Sequence, residues 1–245
     1  MANPRFYCDP KASDKLALGA QIKLPENAAM HATRALRLDI GDLVILFNGD
    51  GNDYHGELTF IKKNEVIAKI NGIKKVDNES PIKVILAQAI SSGDRMDFTI
   101  QKAVEMGVTA IQPIASQRSV VKLSGERAEK RCEHWQNVAN SACEQSGRAF
   151  VPKVAMPMSL ANWLASQPEA QTKITLSPTA EVSFKNLSLP TGNICLLVGA
   201  EGGLTTEEIA LATSQGFTPV RLGKRILRTE TAPLAAIAAM QTIWG

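Results

Sequence analysis

After residue 81, short runs of consecutive apolar residues alternate with longer stretches in which apolar positions recur every three to four residues. The runs at 82–89, 110–114, 174–176, 194–198 and 220–222 predict strands. The stretches at 94–106, 124–146, about ten residues after Thr205, and 233–244 predict helices. Such alternation predicts an α/β architecture in which a parallel sheet is flanked by helices.

The first seventy residues read differently. Short runs at 5–8, 43–47, 54–61 and 65–70 predict strands, and the turn Asn48-Gly49-Asp50-Gly51 carries a hairpin signature. One helix interrupts them over 26–36, after Pro25 in a favourable first-turn position. This order predicts a small β-barrel with an inserted helix. Polar and charged residues cluster over 72–80, so the expected division is 1–72 and 73–245. No fixed-period repeat or low-complexity segment is visible, which removes solenoid and tail readings.

Composition narrows the class. With 44% hydrophobic and 21% charged residues, the chain of 245 residues falls in the ordinary globular range and supports a core. No stretch approaches the roughly 20 apolar residues a membrane helix needs, and residues 1–10 lack a basic-then-apolar leader pattern, so a cytoplasmic protein without a membrane partner is expected. Cys8, Cys132, Cys143 and Cys195 stand far apart, with no paired spacing and no His at ligand distance; buried thiols are expected, and no metal. His31, His55 and His134 each stand alone, which favours structural or contact roles over acid–base chemistry. Trp135 and Trp163 sit in helical patterns and are expected in the core. The net charge of +3 does not indicate a general polyanion binder, but Arg118, Lys122, Arg127, Lys130, Arg131, Arg148 and Lys153 crowd the middle of the chain. They are a backbone-tracking face or a solvated helix face.

The most informative run is Cys195-Leu196-Leu197-Val198-Gly199-Ala200-Glu201-Gly202-Gly203-Leu204-Thr205-Thr206-Glu207-Glu208. A buried strand ends in a glycine loop and a helix begins at once, with Thr205 and Glu208 spaced as a capping box and Gly216 as a stop. The loop has neither the GxGxxG spacing nor a following GK[ST], so pyrophosphate binding is not indicated. Two readings remain: main-chain recognition of a planar polar group such as an adenine, with Glu201 as a fixed carboxylate, or a tight turn with a helix-capping acid. Downstream, Leu222-Gly223-Lys224-Arg225-Ile226-Leu227-Arg228-Thr229-Glu230-Thr231-Ala232 again follows a strand and precedes a helix. Two such loops at the carboxyl ends of strands would form a ligand crevice. Arg228 and Glu230 carry opposite charge with no helical periodicity to explain them; a surface ion pair is the plain alternative.

Together these two segments resemble the paired cofactor loops of the SPOUT 16S rRNA uridine-N3 methyltransferases. The likeness extends to His31-Ala32-Thr33-Arg34-Ala35-Leu36-Arg37 with Gly41-Asp42, to Phe98-Thr99-Ile100-Gln101-Lys102-Ala103-Val104-Glu105-Met106-Gly107-Val108, and to Ala142-Cys143-Glu144-Gln145-Ser146-Gly147-Arg148 followed by Pro152. Ala200 stands where that family usually has proline, and Pro233 where a small apolar residue is commoner.

The resemblance implies an amino-terminal PUA-like RNA-binding β-barrel and a carboxyl-terminal SPOUT trefoil-knot domain that binds S-adenosylmethionine and works as a homodimer on 16S rRNA or the small ribosomal subunit. It implies that Leu176, Leu197, Gly199, Leu222, Ile226 and Leu227 bracket the cofactor, with Glu201, Gly202, Gly203, Gly223, Thr231 and Ala232 completing the loops. Arg228 and Glu230 become the candidate catalytic pair, and Arg34, Arg37, Arg118, Lys122 and Arg148 the candidate RNA contacts. Two other readings stay open: a non-catalytic RNA-binding or assembly protein, and an α/β oxidoreductase or hydrolase, although no GxSxG elbow is present.

Overall fold

The computed structural model describes residues 3–11, 15–63, 65–121, 123–166 and 169–245. Two compact units emerge, Met1–Glu79 with Asn140–Val151 and Ser80–Ala139 with Pro152–Gly245.

In the first unit, β1 (Arg5–Tyr7), β2 (Gln21–Lys23), β3 (Leu43–Phe47), β4 (Asn52–Lys62) and β5 (Glu65–Lys75) form one sheet in the order β1-β3-β4-β5-β2. β1 runs parallel to β3, and the remaining neighbours are antiparallel. The β3–β4 hairpin turns where the glycine signature placed it: Gly49 and Gly51 have φ of +92° and +88°, a region closed to most side chains. Register shifts at His55/Gly56 and Leu58/Phe60 bend the long β4–β5 ribbon. Phe6, Ile22, Val44, Leu46, Leu58, Val66 and Ile70 pack into one core with Ala28, Ala29 and Ala32 of the helical segment.

That segment is not one regular helix. α1 (Glu26–Met30) gives way to a widened π-type turn over His31–Ala35, and Leu36 N–H donates to the carbonyl of His31. Arg37 then takes a left-handed φ of +53°. Apolar spacing shows that residues coil but not that a turn is widened. β2, three residues long, is too short to show a period of its own.

The second unit is built on a wholly parallel sheet. Its strands are β6 (Val84–Ala89), β7 (Ala110–Ala115), β8 (Lys153–Val154), β9 (Met158–Ser159), β10 (Thr172–Leu176), β11 (Ile194–Val198) and β12 (Thr218–Val220). The order is β12-β10-β11-β6-β7-β8, with β9 also on β7. The helices are α2 (Arg95–Glu105), α3 (Gly125–Ser146), of which 140–146 belong to the first unit, α4 (Leu160–Ala165), α5 (Thr206–Ser214) and α6 (Thr231–Trp244). β8, β9 and α4 are too short to show a period. The last strand ends at Val220 rather than 222, so the loop begins two residues earlier than expected.

β11 sits between β10 and β6 with all five residues buried. Burying each large aliphatic side chain there stabilises by about 1.5–3 kcal/mol. Trp163 and Phe217 lie in the adjoining cluster with ring centroids 5.8 Å apart, and Trp135 is buried with its indole N–H on Asp97. Burial pushes the thiols of Cys8, Cys143 and Cys195 up to about 12, which leaves no thiolate nucleophile among those three at neutral pH. Among the described residues, no helix is long and apolar enough to cross a membrane, and no group of three His, Cys, Asp or Glu is placed to hold a metal ion.

Candidate functional site

β10, β11 and β12 are neighbours and parallel, so the loops that leave their carboxyl ends emerge together. They enclose a cleft of about 480 Å³. Its walls come from Leu176, Ser177 and Thr179 after β10, from Gly199, Glu201, Gly202 and Gly203 after β11, and from Leu222, Gly223, Ile226, Leu227, Thr229 and Ala232 after β12.

The first glycine loop, 199–204, is fixed at every turn. A Cβ on Gly199 would lie 2.7 Å from the main-chain carbon of Gly203 and the nitrogen of Leu204, so no side chain fits there. Gly203 N–H donates to the Ala200 carbonyl at 2.8 Å, and Gly203 has a φ of +69°. The Glu201 carboxylate accepts from Ser92 N–H and Ser92 Oγ, both at 2.8 Å, and from Arg95 Nη1 at 2.9 Å. Partial burial pushes its pKa up, yet the hydrogen bonds from Ser92 and Arg95 outweigh that and hold it below the ordinary carboxylate value. Thr205 and Glu208 form the capping box foreseen in the sequence, and the Glu208 carboxylate also accepts from Gln117 N–H at 2.7 Å. A buried cap thus ties the start of α5 to the loop after β7.

The second loop approaches the first through one buried knot of polar groups. Thr229 Oγ1 donates to the Gly199 carbonyl at 2.8 Å and accepts from Gln88 Nε2 at 3.1 Å. Gln88 is fully buried in β6, and among the described residues its Oε1 has no hydrogen-bond partner. Neither residue stood among the sequence candidates. The available signal was a glutamine inside the apolar run Val84-Ile85-Leu86-Ala87-Gln88-Ala89, where an amide is costly unless it is paired.

Most of the sequence-derived cofactor residues line this cleft; Leu197 and Thr231 do not. Leu197 lies one residue inside β11, flanked in register by Thr175 and Ala87, with its side chain in the core. Thr231 opens α6, is exposed, and spends its N–H on the Arg228 carbonyl. Arg228 and Glu230 flank the lining residue Thr229, with Arg228 Nη1 4.0 Å from Glu230 Oε1.

The expected RNA contacts separate. Arg34 and Arg37 are exposed in the first unit. Arg118 instead lines the cleft and donates to the Gly202 carbonyl at 2.7 Å, so it braces the glycine loop. Arg148 is a correction: it is only 4% exposed, and Glu79 clasps its guanidinium at 2.8 and 2.5 Å, so it is not presented to a phosphate. Lys122 lies outside the described residues. His134 is not alone in space either, since its Nε2 meets Asp97 Oδ2 at 2.6 Å.

Comparison with known proteins agrees with this architecture. Residues 78–241 match the RNA methyltransferase domain family and residues 24–71 the RNA methyltransferase PUA domain family. The ribosomal RNA small subunit methyltransferase E of Buchnera aphidicola is 34% identical over 244 residues, covering 99% of this chain and 94% of its own length. A ribosomal RNA small subunit methyltransferase E from Neisseria gonorrhoeae, solved bound to S-adenosyl methionine, is 45% identical with a TM-score of 0.91 over 100% of this chain and 99% of that one. A Legionella pneumophila protein solved with bound SAM is 33% identical with a TM-score of 0.94, at 100% and 99% coverage. The parallel sheet, the paired loops at its carboxyl edge and the match across nearly the whole length agree, and the chain belongs to the RNA methyltransferase family that includes ribosomal RNA small subunit methyltransferase E.

Proposed function

We propose that this chain methylates N3 of a specific uridine in 16S ribosomal RNA of the small subunit, using S-adenosylmethionine. The observation that carries the reading is the convergence of loops 199–204 and 222–230 on one cleft, with Arg228 and Glu230 beside it.

The cleft fits the donor on three counts. Its volume lies in the range of about 300–1,000 Å³ usual for cofactor sites. The lack of a side chain at Gly199 lets the first loop fold tightly onto its own main chain at Gly203 and Leu204, which keeps that wall of the cleft in shape. Main-chain groups from three loops are available to grip an adenine and ribose through Leu176, Gly199, Leu222, Ile226 and Leu227, with Gly202, Gly203, Gly223 and Ala232 keeping the approach open. When bound, S-adenosylmethionine supplies an electrophilic methyl group on a sulfonium.

The chain's own work is then to hold the base and move one proton. Uracil N3 must give up its hydrogen as it takes the methyl group, and negative charge grows on the adjacent carbonyl oxygens. Arg228 stabilises that charge, while Glu230 accepts the N3 proton or orients Arg228. Alignment of the reacting atoms supplies up to roughly 7–11 kcal/mol of the barrier lowering. Because N3 lies on the Watson–Crick edge, the uridine enters unpaired or flipped out.

Residues 1–72 serve as the PUA-like RNA-docking part, with Arg34 and Arg37 on phosphates, which position the RNA without reading its sequence. Residues 73–245 serve as the SPOUT part. The trefoil-knotted course comes with the SPOUT reading, and the contact of Thr229 with Gly199 is consistent with two loops lying side by side in it. The working form is a cytoplasmic homodimer.

The test is methyl transfer from labelled S-adenosylmethionine to small ribosomal subunits that lack the modification. Label on N3 of one 16S uridine is expected. Saturable donor binding without transfer would point to an assembly role and end the enzymatic reading.

A further inference from the structure

Arg95 opens α2, outside both glycine-bearing loops, yet its guanidinium reaches an acidic side chain of each. Nη1 lies 2.9 Å from Glu201 Oε1 on the first loop and 3.1 Å from Ser92 Oγ, and Nε lies 3.9 Å from Glu230 Oε2 on the second.

The two carboxylates differ in how they are held. Glu201 Oε1 accepts three hydrogen bonds, two of them from Ser92. The Glu230 side chain is 17% exposed, its Oε2 is buried with no hydrogen-bond partner among the described residues, and its Oε1 is 4.0 Å from Arg228, whose side chain is 80% exposed. A half-buried carboxylate, with Oε2 out of reach of water, therefore stands between one guanidinium anchored on Glu201 and Ser92 and one exposed guanidinium. A desolvated carboxylate needs a fixed opposite charge. Arg228 cannot serve both as that fixed charge and as the group that turns to the substrate.

We propose that Arg95 is a positioning residue for methyl transfer: anchored on Glu201 and Ser92, it holds the Glu230 carboxylate in place and leaves Arg228 free for the uracil carbonyl. This rests on the assignment of Glu230 and Arg228 to the chemistry. The plain alternative is that Arg95 only pairs with Glu201 at the surface and steadies the donor loop, an interaction of small worth.

Four proteins separate the two: the parent, Arg95→Ala, Glu230→Gln and the double variant. Each is measured for kcat on small ribosomal subunits at saturating S-adenosylmethionine, for donor Kd by calorimetry, and for melting temperature. Arg95→Ala is expected to lower kcat about ten- to a hundredfold, the cost of a small misplacement, while donor Kd rises no more than about fivefold. The double variant should be no slower than Glu230→Gln alone, and Arg95→Lys should recover part of the lost kcat. Effects that multiply in the double variant, or an Arg95→Ala change confined to donor Kd or melting temperature, overturn the proposal while leaving Glu230 in its role. A Glu230→Gln variant with parental kcat removes both at once.

Discussion

The two loops that wall the cleft look alike in sequence, each glycine-bearing and each set between a strand and a helix, but they are held very differently. Loop 199–204 is tied by Glu201 to Ser92 and Arg95, by Arg118 to the Gly202 carbonyl, and by its own Ala200–Gly203 contact. Over 222–227, among the described residues, no hydrogen bond ties the second loop to the rest, and Ile226 is 83% exposed. Its attachments come at its ends, where Arg221 N–H donates to the Val182 carbonyl and the Arg221 carbonyl accepts from Phe184 N–H, and where Thr229 donates to the Gly199 carbonyl. One wall is tied along its length and the other is fastened at its ends but untied over 222–227, a division suited to gripping a cofactor on one side while closing on it from the other.

The severest way to break this contrast is Gly199→Val. Its side chain meets main-chain atoms that cannot step aside, so donor affinity should fall more than about a hundredfold, a loss of the order of the 3 kcal/mol that overpacking costs. Calorimetry that finds parental affinity in a folded variant would mean the first loop is not rigid. Next comes Arg228→Ala. Because the side chain is exposed and braces no loop, turnover should drop about 10²–10³-fold with donor Kd unchanged, and equal turnover would take Arg228 out of the chemistry.

Thr229→Val is the middle case. It removes the hydroxyl that donates to the Gly199 carbonyl and accepts from the Gln88 amide, leaving that buried carbonyl only the longer 3.4 Å contact with Gln88 Nε2, at about 1–3 kcal/mol. The melting temperature should fall, whereas Ile226→Ser on the same loop should stay within about 0.5 kcal/mol. Equal melting of the two would mean that Thr229 is not a fastening point of the second loop.

Acid gives the mildest test. The folded pKa of Glu201 lies below 4.5, so its contribution is complete above that pH and is lost as pH falls through the folded value. Donor binding should weaken below about pH 4.5 in the parent, and this limb should flatten in Glu201→Gln. An identical limb in both would assign the acid sensitivity to another group.

How far the sequence could foretell this follows from the scale of each signal. Long periodic stretches such as Gly125–Ser146 and apolar runs such as Ile194–Val198 are visible because many residues repeat one preference. β8, β9 and α4 span only two to six residues and show no such repetition. At the site, the loops were legible as glycine punctuation between strand and helix, and Glu208 as a cap. Gln88 and Thr229 were not, since their pairing is made across 141 positions. Arg118 and Arg148 illustrate the same limit: charge alone reads both as surface, and only the fold puts one on a carbonyl and the other against Glu79.

The place of β11 has a cost during synthesis. Its partner β6 leaves the ribosome about a hundred residues earlier, as the pairing of Val84 with Ile194 requires, and must wait with an apolar edge open. Parallel strands joined over such distances close slowly. The nascent chain is therefore expected to lean on chaperones until its last third appears, and its growing edge should be the point where expression at high temperature ends in aggregates.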